Sequence, residues 1–431
     1  MEHWLAQLAK FPLTSIAALA LYATLIAAVS PQWRSVINRY LGTAPNYHPH
    51  TLLGFDAIRG GAALLIVLGH CVYFALPAFA ELPPVVVRLA GQATKAVPIF
   101  GVLSGFLIYR AVLAIKTIDD IRSYCTRRFF RIYPAYAAGV ILALVLGQYA
   151  SPSMSPDTSA SARFFADLFV MRVLWWPGFG NPVAWSLYHE VLFYALLPLI
   201  VLTIGRQRVA PFAIAGLAMM LLADYPGRDY GLYKYFIFGI LASIYSDPLR
   251  PYAAVACIIG LILIGLEFFG IDILFILGLT PAKVRWGGGF GLGLGPALVL
   301  GALPHLGTVG RAFNILPFRI LGIISYSLYV IHPFVLNLIF PESGILIEPR
   351  DYSKFSGASA GGVAWMFFIL IPSIIFWAMM CYLMIERPFI RFGAALLKSK
   401  AHRTNPQIVG TTPEIPARAE ARAALTPSLT P

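Results

Sequence analysis

Charged residues are scarce in this chain, 12% of 431, while 59% are hydrophobic; soluble domains carry about 25% charge. That shortage excludes a water-soluble globular protein and points to an integral membrane protein. Extended water-soluble blocks are lacking too, so no separate catalytic domain is available and any chemistry belongs to the membrane part. The four cysteines, Cys71, Cys125, Cys257 and Cys381, show neither paired nor metal-ligand spacing, which excludes a disulfide framework and predicts no metal site. Acidic residues are outnumbered, 19 against 32 Lys and Arg, for a net charge of +13. In a soluble protein such an excess would point to nucleic acid. Here the basic residues concentrate in short segments between apolar runs, which is the pattern that orients a membrane protein, and no nucleic-acid partner is expected. The Gly-rich stretch Gly287 to Gly295 follows no strand, so it reads as helix packing or a turn and not as a nucleotide loop.

What the chain does have is apolar length. Runs at 11–30, 54–78, 92–113, 131–149, 183–204, 210–224, 229–246, 252–278, 289–305, 319–341 and 362–385 predict eleven spans, each a helix because lipid leaves backbone groups no other partner. The fold class is therefore an all-α, polytopic membrane helical bundle. A cleaved leader is an alternative for the first run, but Arg34 and Arg39 flank it as they would an anchor, and an uncleaved extra helix is expected. Three basic clusters, Arg110 to Arg131, Arg206 with Arg208, and Arg387 to Arg403, fall on one side under alternating crossings. That side, with the C-terminus, should be cytoplasmic. Segments 151–181, with the interface-anchor pair Trp175 and Trp176, and 342–361 would then face outward. The Pro-, Ala- and Thr-rich tail past about 399 is expected to be disordered.

One stretch organises the rest. Residues 60–80 contain no Asp, Glu, Lys or Arg, and His70 stands near their middle. An ionisable group at membrane depth is costly unless it faces protein or water, so a functional role competes there with that of a simple packing hydrogen bond. Eleven residues from Arg59 to His70 turn a helix through about 1100°, so the two share a face about 16 Å apart along the axis. This predicts an anion-binding guanidinium at the membrane surface and a proton-transferring imidazole deep inside, with Asp56 pairing Arg59 across one turn.

Arg127, Arg128 and Arg131 stand in a segment 110–131 expected to be a loop. At that density they can clamp phosphates through forked bonds, or do no more than set topology. Glu190 is the only charge between Arg172 and Arg206, and His332 lies in the uncharged stretch between Arg319 and Glu342. Counting about 1.5 Å per helical residue puts His70, His332 and Glu190 at similar depths, about 16 to 20 Å. A single mid-membrane layer of ionisable groups is expected.

Several motifs then fall into one order. Leu53-Gly54-Phe55-Asp56-Ala57-Ile58-Arg59-Gly60 leads to His70. Pro98-Ile99-Phe100 leads to Ser104-Gly105-Phe106-Leu107-Ile108. Arg128 and Arg131 precede Ile132 and Pro134, Trp185-Ser186-Leu187 leads to Glu190 with Phe193-Tyr194, and Ser325-Tyr326-Ser327-Leu328-Tyr329 leads to His332, before a closing Glu386-Arg387-Pro388. The ordered set, from about 52 to 390, resembles the acyltransferase-3 family of integral membrane O-acyltransferases. Phe55 departs from the family's usual leucine without evident consequence.

The resemblance implies a ten-helix core, here 51–392, with residues 1–50 adding an N-terminal helix and linker and 393–431 a basic, then disordered, tail. It implies transfer of an acyl group, usually acetyl from acetyl-CoA, to a hydroxyl of a cell-envelope glycan or a small or lipid-linked acceptor. It also implies that Arg59, His70, Arg128 and Arg131 are needed for activity. The residues themselves agree, since an imidazole can take the proton of a hydroxyl that attacks a thioester.

The expected catalytic set is His70, Glu190 and His332, and the donor-binding set is Arg59, Arg127, Arg128 and Arg131. Asp56, Ser104 and Tyr326 are supporting residues, with Ser104 beside Gly105 read as a close-packing position. Acyl-CoA is a co-substrate, and no bound cofactor or metal is expected. A bacterial inner membrane is the expected setting. A multi-span transporter with a midplane His/Glu site is the rival reading.

Overall fold

The computed structural model describes residues 12–41, 54–74, 92–148, 159–169, 181, 183–223, 232–271, 273–276, 289–313, 315–339 and 364–404. Trp175, Trp176, the outward segment 342–361 and the tail beyond 404 lie outside them. The described residues contain helices and no strands, and each of the eleven apolar runs holds one. They are α1 (Pro12–Ala27), α2 (Pro31–Leu41), α3 (Phe55–Phe74), α4 (Val97–Leu113), α5 (Ile118–Val145), α6 (Ala160–Leu168), α7 (Ala184–Ile204), α8 (Val209–Ala223), α9 (Tyr233–Ile244), α10 (Ala253–Phe268), α11 (Gly291–Ala302), α12 (Leu316–Ile339), α13 (Ile371–Cys381) and α14 (Arg387–Thr404). Of these α2, α6 and α14 lie outside the apolar runs. Five helical stretches are long and apolar enough to cross a membrane unaided, or six if α1 and α2, bent by 119°, count as one span.

Two expectations are corrected. The segment 110–131 is a loop only from 114 to 117, between the end of α4 at Leu113 and a capping box at Thr117. Asp120 N–H donates to the Thr117 hydroxyl at 3.2 Å, and Thr117 N–H to the Asp120 carboxylate at 2.9 Å. This reciprocal pair satisfies the first turn's free donors and starts α5 thirteen residues before its apolar run. The arginines therefore sit on a helix, where Arg128 and Arg131, three apart, share a face. At the other end α14 continues to Thr404, so residues 399–404 are helical.

Lipid offers no hydrophobic reward for packing helix on helix, so close backbone approach must hold this bundle. Two glycine pairs provide it. A Cβ on Gly105 of α4 would stand 2.1 Å from the Phe236 carbonyl oxygen of α9, and one on Gly239 of α9 only 2.0 Å from that of Val102. Gly60 of α3 and Gly322 of α12 make the same kind of contact, at 2.6 Å from Leu321 and 2.4 Å from Asp56. The α3–α12 pair sets Arg59 and His70 against the helix carrying Tyr326, Tyr329 and His332. Gly239→Val is thus expected to cost at least the 1 to 3 kcal/mol typical of overpacking, whereas Gly61→Ala, where a Cβ meets nothing within 4 Å, should be tolerated. Thermal unfolding of both variants in detergent would check this, and equal melting temperatures would contradict the close-contact account.

Candidate functional site

Helices α3, α4, α5, α7, α9 and α12 surround a pocket of about 90 Å³. Its polar lining is Arg59, Ser104, Arg128, Arg131, Ser186, Glu190, Tyr194, Ser325, Tyr326 and Tyr329. Helical spacing explains each contribution: Glu190 and Tyr194 are four apart on α7, and Tyr326 and Tyr329 three apart on α12, so each pair presents one face. Arg127, adjacent to Arg128 and so about 100° away, is exposed and does not line the pocket.

At the basic end the charges are mutually compensated. Arg59 Nη1 meets Asp56 Oδ1 at 3.4 Å, the pairing predicted across one turn. Glu190 accepts a hydrogen bond of 2.8 Å from the Ser104 hydroxyl and a second from Tyr194, and it lies in the electrostatic field of Arg59 and Arg131. Ser104 thus lines the site as well as neighbouring the packing glycine. The Arg128 guanidinium lies 5.7 Å from the Tyr124 ring centre and 5.0 Å from that of Tyr194, within cation–π range.

Sequence reasoning assigned no site role to Glu386. It is fully buried, accepts 2.7 Å from the Ser327 hydroxyl, and faces Arg131 and, less strongly, Arg59. A signal was present, because no other charge lies between Lys354 and Arg387.

His70, His332 and Glu190, expected in one layer, fall into two bonding groups. Glu190 bonds to Ser104 and Tyr194 within the arginine pocket, in the field of Arg59 and Arg131. The two histidines come together separately: His70 Nδ1 and His332 Nε2 are 3.2 Å apart, with ring centres at 5.1 Å. Neither ring lines the pocket, but Tyr329 does, and its ring centre is 6.0 Å from that of His332.

The backbone fixes the tautomers of this pair. His332 Nδ1 contacts the Leu328 carbonyl at 3.1 Å, and His70 Nδ1 the Ile66 carbonyl at 3.0 Å. A carbonyl only accepts, so both Nδ1 atoms carry hydrogen. His332 Nε2 is then an acceptor that also faces the His70 Nδ1–H, and His70 Nε2 keeps the lone pair. The arrangement holds a neutral imidazole with its basic nitrogen free of the pair.

A family model described as an acyltransferase domain matches residues 52–383. It takes in the pocket and both histidines, and leaves out α1, α2 and Glu386. Comparison with curated proteins and with solved structures gives no match.

Glu386 is the anion most strongly coupled to Arg131. Glu386→Ala should therefore destabilise the protein by about 3 to 5 kcal/mol, the usual result of stranding a buried charge. Glu386→Gln, which can still accept from Ser327, should cost less. Melting temperatures in detergent would rank the two, and a neutral Glu386→Ala would show that Arg131 is held by other groups.

Proposed function

Given that the chain belongs to the acyltransferase-3 family of membrane acyltransferases, we propose that it transfers an acyl group from acyl-CoA to a hydroxyl. Acetyl-CoA is a small donor of this kind, and the acceptor is a cell-envelope glycan or a lipid-linked molecule. The setting is a bacterial inner membrane with the basic end and the C-terminus in the cytoplasm. The observation that carries this reading is the oriented His70–His332 pair, adjoining the far end of a pocket whose near end is lined by Arg59, Arg128 and Arg131.

Guanidinium groups bind phosphate oxygens through charge-assisted bonds, so the nucleotide of CoA rests at the basic end. Its charge would be too costly to bury deeper. The slender pantetheine arm follows the pocket towards Tyr329, carrying the thioester to the histidine layer. There the acceptor hydroxyl, arriving from the other face, gives its proton to His70 Nε2 as its oxygen attacks the thioester carbon. His332 acts as a positioning residue by holding the His70 Nδ1–H. The tetrahedral intermediate then expels the CoA sulfur, which takes the proton from His70 as it leaves.

His70→Ala should lower turnover at least about a hundredfold with expression retained, and His332→Ala should lower it less, because His70 keeps its Ile66 carbonyl. Acceptor-dependent release of free CoA is the assay, and solute movement without CoA release would favour a transporter. Arg131→Gln should weaken acyl-CoA binding and flatten its salt dependence. Unchanged donor affinity would leave the arginines with topology alone.

Sidedness is tested in sealed, oriented vesicles. Acyl-CoA on the basic face should support transfer, and acyl-CoA on the opposite face should not. Equal activity from both faces of tight vesicles would overturn the two-sided mechanism.

A further inference from the structure

Beside the arginine-lined pocket a second, larger cavity of about 430 Å³ lies between α5 and α7. Its walls are largely apolar and aromatic, Phe129, Tyr133, Tyr136, Phe169, Val191 and Ala195 among them. The tyrosines engage their hydroxyls with backbone carbonyls and leave ring faces to the cavity: Tyr133 donates to Leu168 at 3.1 Å, Tyr136 to Asp167 at 2.8 Å, and Tyr124 to Tyr194 at 3.2 Å. Phe129 and Phe169 are exposed, so the groove is open at its edge. From Tyr124 to Tyr136 it follows α5 for about 18 Å.

Four residues, Arg128, Ile132, Leu187 and Tyr194, line this groove and the reaction pocket alike. One layer of side chains lies between this apolar, elongated space and the pocket where the thioester would travel. The tetrahedral carbon of acyl transfer carries three branches besides its oxyanion: the sulfur arm, the acceptor oxygen and the acyl chain. The pocket's basic end suits the first and its Tyr329 end the second. The third needs an apolar space, and the one that adjoins the pocket is the groove, the larger of the two.

Building on the acyl-CoA reading above, we infer that the groove between α5 and α7 holds the hydrocarbon chain of the donor's acyl group, and that this chain is longer than acetyl. In the transfer the acceptor oxygen bonds to the carbonyl carbon and the carbon–sulfur bond breaks. The hydroxyl proton passes through His70 to the leaving sulfur, and the chain stays on the carbon throughout. An ordinary bilayer lipid would fill the same groove without any need for it to adjoin the reaction pocket.

The test uses the full chain in nanodiscs and needs no acceptor. Dissociation constants of acetyl-, butyryl-, hexanoyl- and octanoyl-CoA should fall by up to about fourfold for each methylene buried. Val191→Trp and Ala195→Trp, which fill the groove without touching the pocket, should remove most of that gain and leave acetyl-CoA affinity within about twofold. An octanoyl-CoA carrying a terminal diazirine, used on the wild-type protein in case the variants misfold, should label α5 or α7 at groove residues.

Equal affinity across the series, or labelling away from the groove, would overturn the inference and assign the groove to bilayer lipid. If no acyl-CoA binds at all, the acyl-CoA reading itself fails, and the inference falls with it.

Discussion

Every ionisable side chain placed at membrane depth must find its compensation inside the protein, and this structure is arranged around that constraint. Desolvating a charge costs several kcal/mol unless partners replace the water. Arg59 has Asp56, Arg131 lies between Glu386 and Glu190, and Glu190 takes hydroxyls from Ser104 and Tyr194. The two histidines solve the problem differently, staying neutral with carbonyls and each other as partners. Some of this compensation is local to one helix, and the rest crosses between helices: Ser104 reaches Glu190 from α4, and His332 reaches His70 from α12, which the glycine contact of α3 with α12 brings within reach.

The same constraint governs the interrupted helices. Twelve residues make a helix of about 18 Å, well short of a hydrocarbon core of about 30 Å, and α9 and α11 are each of that length. The N-terminal amides of α11 are answered by Glu267, whose carboxylate accepts from Gly289 at 3.2 Å and from Gly291 at 3.0 Å. A buried anion thus does the work a serine or aspartate cap does in water. Irregular backbone at this depth is sustained only where protein surrounds it. At α9 it opens the space that Leu232 and Phe236 help to line.

Much of the fold was legible because lipid simplifies the reading: an apolar run has little choice but to be a helix, and all eleven runs held one. The Arg59–Asp56 pair was legible for a similar reason, being local to one turn. The early start of α5 was missed because its first turns are polar, although Thr117-x-x-Asp120 carried the capping signal. Pairing of His70 with His332 across 262 residues depends on the register of two helices. Depth counting came close to that register but could not decide rotation. Nor could it say which side chains Glu190 would meet, because counting locates backbone atoms along one axis and Ser104 comes from another helix.

The division into a cationic pocket and a separate histidine pair has an electrostatic rationale within the proposed mechanism. A general base becomes positive as it takes the proton, and a guanidinium beside it would oppose that step. With an effective dielectric of 20, two positive charges 4 Å apart repel by about 4 kcal/mol, and at the roughly 16 Å separating the Arg59 and His70 positions along α3 by about 1 kcal/mol. The difference, about 3 kcal/mol, corresponds to about two powers of ten in rate if expressed in the transition state. Phosphate binding and proton uptake thus favour opposite surroundings. A neutral, extended donor arm is what allows one protein to keep them apart and still bring the reacting carbon to the base.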